Sequence, residues 1–523
     1  MKRLIIVLCM VVLLMANSKT TGQSDREFQL KVHDINRVEM TISNFGKFGQ
    51  SEVGSGCWWP KGSDQNYIWG AGIWFGTIDN VTGDTLVTIG YGPHGGETEY
   101  TPGLSGMSFS DPNAVIFMYP DLWPPPADTF PMAPQDHISH QDSWCCYNDS
   151  NYIYHMPGDT RPIGIEVYQT VYAWDISAIE DIIFFTHEVK NVSDHTLYDC
   201  YIGVAADCDI GNEVAGGTND RAAGILGRWY VLDEESLWVD NLGYQWQEEE
   251  EQGWDGFPGT IGFDLLQTPF DLVVGEDKDG DGILDQYERD SSYYVNNLPE
   301  CMWDVDLDSV PDWRDPSQWP QLGMTALKRF TLLFEPDIDP ERYRVLAGYN
   351  FTTGIYEPYD TLPTDPDDQR FLMSSGPFDL EPDSSVSIVF AVFFANWHDM
   401  YETPDSALAT IDTIAQHWYD IYWNYYIGIE EMLSSEPVQL RITVNPNPVI
   451  RHASITFSLL HSGSVSLKLY NAVGQFVREI AHGDMDAGTH SLGLNTHDLA
   501  QGSYFLILET PDGKTSRSVV VLH

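Results

Sequence analysis

Residues 386–395 read VSIVFAVFFA, ten residues with no proline, glycine or charge and dense in β-branched and aromatic side chains. Such a run reads as a strand. Three others share its character: YIWGAGIWFGTI at 67–78, IGIEVYQTVYA at 163–173 and IIFFTHEV at 182–189. Clusters of Gly, Pro, Asn and Asp separate them, as turns between strands require. One segment departs from the pattern. From Pro404 to about Met432 the apolar residues Leu408, Ile411, Ile414, Trp418, Ile421 and Tyr425 recur every three or four positions. That is one face of an amphipathic helix, started by Thr403-Pro404-Asp405. The expected fold is mainly β: tandem β-sandwich domains with a loop insertion, one long amphipathic helix, and a C-terminal immunoglobulin-like sandwich.

The chain has 523 residues, enough for several domains. Lys and Arg total 26 against 78 Asp and Glu, a formal charge of −52. A chain so acidic has no basic stripe to displace phosphate counterions, which excludes nucleic acid and argues against anionic membrane surfaces. Multivalent cations are the natural counter-charge. Acidity of this degree also keeps proteins soluble in salt, a second explanation that composition leaves open.

Met1-Lys2-Arg3 precedes an unbroken apolar run at 4–16. Thirteen residues suit the core of a signal peptide better than a bilayer span. Residues 1–22 are therefore expected to be removed on export, leaving no transmembrane segment in the mature chain. Six cysteines follow: Cys57, Cys145, Cys146, Cys200, Cys208 and Cys301. Six can pair in fifteen ways, and spacing does not choose among them. Cys200 with Cys208 would close a hairpin; Cys145 with Cys146 would be strained.

A first β-rich domain is expected at 23–160. A sandwich follows at 161–433, with a loop insertion at about 275–320 and its helix at 404–432. Ser434-Ser435-Glu436-Pro437 opens a linker over 434–440. Beyond it, seven short strands at about ten-residue spacing, from 441 to 523, have the rhythm of an immunoglobulin-like sandwich. Within them stand Val444-Asn445-Pro446-Asn447-Pro448, then SITFSL at 454–459 and VSLKLYNAVG at 465–474. Ala487-Gly488-Thr489-His490 and LAQGSYF at 499–505 precede a last strand that runs basic then apolar. This order resembles a type A sorting domain of the type IX secretion system; the flagellar-hook type of immunoglobulin-like domain is the near rival. The resemblance implies passage through the outer membrane to the cell surface or medium, with the secretion machinery and surface polysaccharide as partners. The body, about 25–433, resembles uncharacterised β-rich cargo of that system through Asn44-Phe45-Gly46, AGIWFG at 71–76 and SGPFDL at 375–380. No activity travels with those motifs.

The sharpest chemical signal is DKDGDGILDQYE at 277–288. Asp277, Asp279, Asp281, Asp285 and Glu288 occupy positions 1, 3, 5, 9 and 12, with Gly282 at 6. Calcium takes six to eight oxygens, and this spacing wraps them around one ion, with the Ile283 carbonyl at position 7. A solvated acidic turn is the competing reading. The residues before the loop, 270–274, read as a strand, so a lone loop of dockerin or thrombospondin-repeat style is expected. A weaker copy begins 27 residues later: Asp304, Asp306, Asp308, Val310, Asp312 and Asp315, with Ser309 in place of the turn glycine. Asp207, Asp209, Asn219 and Asp220 form a third, irregular acidic group. Calcium in such loops is structural, cross-linking segments that have little core of their own.

Catalytic patterns fail. His187-Glu188 lacks the second histidine of a zinc-protease helix, and Gly103-Leu104-Ser105-Gly106-Met107 is not a nucleophile elbow. Cys57 sits in GSGCWW, near a papain-like sequence but without its preceding cysteine. DHISHQD at 136–142 offers imidazoles and carboxylates, in a loop more simply read as polar surface. Trp58, Trp59, Trp69, Trp74 and Trp123 would stack sugars if exposed, or pack a sandwich core if not. The reading is an exported, calcium-binding, non-enzymatic β-protein that is structural, adhesive or glycan-contacting. A secreted hydrolase of polysaccharide or protein is the alternative.

Overall fold

The structure, a computed structural model, describes residues 28–423 and 442–521. It leaves aside 93–97, 109–110, 156–158, 212–216, 233–234, 251–253, 255–256, 300–301, 306–309, 399–400, 402, 446–448, 450, 460–462, 472–475, 486–487, 498 and 511–512. The expected signal peptide and linker lie outside the described residues. These divide into two units, 28–271 with 321–415 and 272–320 with 416–521.

Two antiparallel sheets make the body. The larger runs Ala326–Thr331, Gln369–Leu380, Leu197–Asp207, Gly70–Ile78, Lys47–Phe48, Glu39–Ser43, Cys57–Trp58, Asn66–Ile68, with Leu30–His33 and Thr85–Ile89 as side branches. The other runs Arg221–Leu232, Glu235–Trp246, Thr260–Gln267, Ser385–Ala395, Ile182–Asn191, Ile165–Ala173, Gln141–Asn148, Thr101–Pro102. Their inner faces share one core: Ile73, Phe75 and Val204 from the first, Val167, Phe185 and Phe390 from the second. Phe48 lies 4.5 Å from Phe185 across the sandwich, ring centre to ring centre.

The unbroken apolar strands are explained by burial on both faces. In Gly70–Ile78, Ile73 and Phe75 point into the sandwich while Trp74 joins a separate outer cluster. That cluster is completed by Tyr343, Val345 and Leu346 of the helix Asp339–Leu346. The Asn44-Phe45-Gly46 corner is a close approach of backbones. Gly46 has φ +84°, and a Cβ on Gly90 would lie 2.4 Å from the Gly46 carbonyl oxygen.

The boundary expected at residue 160 does not separate two domains. Gly70–Ile78 pairs with Leu197–Asp207, and Gln141–Asn148 pairs with Ile165–Ala173, so both segments share both sheets. Strand periodicity shows which face is buried but not which strand lies alongside.

The helix is α-helical over Pro404–His417 and continues as a π-turn over Trp418–Trp423; 424–441 lie outside the described residues. Its buried stripe includes Leu408, Asp412 and Ala415, whereas Ile411 and Ile414 are half-buried. No helix among the described residues is long and apolar enough to cross a membrane. Cys57, Cys145, Cys146, Cys200 and Cys208 are buried free thiols, so the Cys200–Cys208 bridge is not formed; Cys301 lies outside the described residues.

The C-terminal segment has its own core. Ile442–Asn445, His452–Leu459 and Gly488–Asn495 form one sheet; Phe476–Met485, Gly463–Asn471, Gly502–Thr510 and Gly513–Val521 form another. Ile455 and Phe457 of the first pack with Leu467, Leu469, Leu506 and Leu508 of the second. The seven strands fall where the sequence places them.

Candidate metal centre

Loop 277–288 folds its first three carboxylates together. One oxygen from each of Asp277, Asp279 and Asp281 lies within 4.8 Å of the others, and all three residues are exposed. Gly280 and Gly282 take φ +79° and +96°, which L side chains rarely adopt, and so permit the tight turn. Asp277 accepts the Gly280 N–H at 2.9 Å, and Asp281 accepts the Ile283 N–H at 2.6 Å. Ile283 itself is buried.

Asp285 braces the loop. Its Oδ1 accepts the Lys278 N–H at 2.9 Å and its Oδ2 the Val273 N–H at 3.0 Å. Each oxygen keeps a second lone pair for an ion or its water. Glu288 is the decisive residue. It is fully buried, its Oε2 accepts the Tyr294 hydroxyl at 3.4 Å, and its Oε1 has no partner. Burial, then the charges of Asp281 and Asp279, push its carboxyl up to about 8. An orphaned buried carboxylate beside others is the situation a hard cation with oxygen ligands resolves.

Loop 304–315 repeats the scaffold. Asp312 Oδ1 accepts the Val305 N–H at 3.0 Å, as Asp285 accepts from Lys278. The Asp312 N–H donates to Trp303 O at 2.8 Å, as that of Asp285 does to Glu276 O at 2.9 Å. In both, position 9 opens a 3-10 turn, Asp285–Tyr287 and Asp312–Arg314. Val310 and Asp315 are buried and Asp304 is half-buried; Asp315 Oδ1 accepts the Ser317 N–H at 2.9 Å. Asp306 and Asp308 lie outside the described residues.

The first loop is not alone. Tyr294, on the helix Ser291–Asn297, gives its hydroxyl to Glu288 while its ring lies 5.0 Å from that of Trp313 in the second loop. Trp303 packs on Trp313 at 5.9 Å. The two loops therefore share an aromatic junction. The strand expected at 270–274 reduces to an isolated bridge between Phe270 and Gln321.

Other sequence candidates dissolve into structure. Burial raises the Cys57 thiol well above its usual range, the opposite of an activated nucleophile. His137 stacks on Tyr119 at 3.6 Å, His140 Nδ1 accepts the Asp175 N–H, and Asp142 accepts the Ile138 N–H. Trp59 and Trp74 are core residues. Glu248 pairs with Arg221 at 3.3 Å.

The C-terminal sandwich decides the address. Residues 443–522 match the family described as a secretion system C-terminal sorting domain. The C-terminal sandwich is a sorting domain. It marks the chain for export through the outer membrane by the type IX secretion machinery. The match covers the sorting domain and leaves the body unassigned. No curated protein matches the sequence. Among solved structures, a polysaccharide lyase matches at 9% identity over 96% of this chain and 47% of its own, with a TM-score of 0.24. The dimeric latent PorU of Porphyromonas gingivalis matches at 9% over 95% and 33%, with a TM-score of 0.15. A Ruminococcus gnavus β-glucuronidase matches at 9% over 50% and 44%, with a TM-score of 0.12. The chain thus spans less than half the length of each, and scores so low carry no argument.

Sequence reasoning missed a cleft in the body. A cavity of about 430 Å³ is lined by Glu99, His155 and Arg342, with Tyr154 at its side. These residues lie far apart in sequence and have no common motif. Burial pushes Glu99 up to about 7, against the pull of Arg342. Asp339, 3.7 Å from Arg342, is raised from 3.8 to about 8 by burial and by the charge of Glu99. Asp339 therefore keeps its proton in the folded protein at pH values where the unfolded chain has lost it. Its contribution to stability is full below about pH 4 and is lost as pH rises through about 8. Asp339→Asn removes this dependence and keeps an oxygen for the Val87 N–H. Its melting temperature relative to the parent should climb by several degrees from pH 5 to pH 8, roughly the span between the two titrations. A difference constant with pH would refute the assignment.

Proposed function

We propose that the protein is a calcium-stiffened, non-enzymatic component of the cell surface or surrounding medium, delivered by its sorting domain and in contact with a glycan. The observation that carries the calcium reading is Glu288, buried at loop position 12 with Oε1 unpartnered and Asp279 and Asp281 close enough to raise its carboxyl. Calcium at 277–288 and 304–315 gives a long irregular segment the cross-links its small core does not supply. Export through the outer membrane follows from the sorting domain.

The glycan reading rests on an exposed aromatic pair. Trp229 and Trp238, 64% and 44% exposed, lie 5.2 Å apart on the hairpin formed by Arg221–Leu232 and Glu235–Trp246. Apolar ring faces with polar edges suit the flat faces of sugar rings. The full chain, incubated in millimolar calcium with a panel of insoluble polysaccharides, should be retained without releasing reducing ends. Trp229→Ala with Trp238→Ala should weaken retention about tenfold, the scale of a 1.4 kcal/mol loss. Equal retention would remove the tryptophans from the surface of contact. Product release would overturn the non-enzymatic reading, and its loss in Glu99→Gln would locate a hydrolase in the Glu99 cleft.

A further inference from the structure

Three strand ends of the body meet at one place. Leu197–Asp207 ends at Asp207, Arg221–Leu232 begins after Asp220, and Gln369–Leu380 begins after Asp368. Asp207 pairs with Arg370 in the sheet register, and Asp220 bridges Asp367. One carboxylate oxygen from each of Asp207, Asp209 and Asp368 lies within 4.8 Å of the others. Asp220 turns into the same place: a Cβ on Gly217 would lie 2.2 Å from Asp209 Oδ1 and 3.1 Å from Asp220 Oδ2. Only a residue without a side chain fits between them.

Proximity of acids is common, but burial without partners is not. Asp220 is fully buried; its Oδ2 accepts the Ile210 N–H at 3.1 Å and its Oδ1 has no partner. Asp207 is 1% exposed; its Oδ2 takes the Tyr91 hydroxyl at 2.6 Å and Arg370 at 3.0 Å, and its Oδ1 has no partner. Arg370 is the cation paired here, and it also holds Glu335. Asp207 Oδ1 and Asp220 Oδ1 stay without a partner despite that guanidinium, and buried polar atoms left so are costly.

We propose that Asp207, Asp209, Asp220 and Asp368 form a cation site that takes calcium, or a divalent ion of similar hardness, and ties the three strand ends together. The donor set is all oxygen, which selects hard cations over zinc or copper. Asn66, whose Nδ2 donates to Asp209 O at 2.7 Å, fixes the backbone that presents Asp209. The site shares no residue with loops 277–288 and 304–315 and stands or falls separately from them.

Equilibrium dialysis of the full chain against calcium counts the ions bound. Asp209→Asn with Asp220→Asn should lower that count by one in the parent, and again by one in an Asp279→Ala, Asp281→Ala background. Removing like charges should leave the calcium-free melting temperature unchanged or higher, so folding is not at risk from the substitution itself. An unchanged count overturns the proposal. Crystals of the parent chain soaked in terbium(III) give an independent reading. An anomalous peak at about 2.3–2.6 Å from oxygens of Asp209 and Asp220 is expected. Density in loop 277–288 with none among these aspartates overturns the proposal.

Discussion

Asp279→Ala combined with Asp281→Ala should erase most of the calcium-induced gain in thermal stability and leave the calcium-free protein unharmed. Without an ion, Asp277, Asp279 and Asp281 crowd one another, and the charges of Asp281 and Asp279 add to burial in raising the Glu288 carboxyl, so removing those two relieves repulsion. With an ion, binding to the folded form alone stabilises by RT ln(1 + [L]/Kd), about 2.7 kcal/mol at a hundredfold excess over Kd. For a domain of ordinary size that is a rise of roughly 5–10 °C. Calorimetry of the full chain in chelator and in millimolar calcium measures it. The parent should show the full rise, and the double variant only the smaller part contributed by loop 304–315 and by the site that Asp209→Asn with Asp220→Asn removes. Equal rises in parent and Asp279/Asp281 variant would sink the loop assignment. Glu288→Gln should act in the same direction, since it keeps the shape and the Tyr294 contact but withdraws the charge at position 12.

Ending the chain after residue 440 should remove the protein almost completely from the cell surface and medium. Among the described residues, the body sheets use no strand beyond Ser385–Ala395, and the sorting sheets use none before Ile442–Asn445. The truncation therefore discards the export address without unpairing a body strand. Fractionation of cells expressing both forms should find the truncated protein inside the outer membrane. Its melting temperature in calcium should equal that of the body transition in the full chain, which separates failed sorting from failed folding. Surface levels matching the parent would show that residues 443–522 are dispensable for export.

The features legible in sequence were those whose information is local. Loop 277–288 is twelve consecutive residues with regularly spaced acids, and the sorting domain is seven short strands with evenly spaced turns. Asp285 and Asp312 show how deep that reading goes: two residues recognised as repeats by spacing alone bond backbone groups at the same loop positions. Where the sequence misled, the missing information was pairing. Nothing in 67–78 announces that Leu197–Asp207 lies beside it, so a sandwich built from interleaved segments read as two domains. The inner acidic site was half visible in Asp207, Asp209 and Asp220, but Asp368 lies just before the strand Gln369–Leu380, much further along. Likewise Glu99, Asp339 and Arg342 have no motif in common. The helix was legible in its periodicity, but a buried Asp412 in its stripe cannot be found by counting apolar residues.

The interleaving has a consequence for how the chain becomes a protein. Gly70–Ile78 lies against Leu197–Asp207, which in turn lies against Gln369–Leu380; Ile182–Asn191 waits on Ser385–Ala395. Neither sheet can close until nearly four hundred residues are present, and contacts so distant in sequence make for slow folding. A nascent fragment has no finished half to settle into.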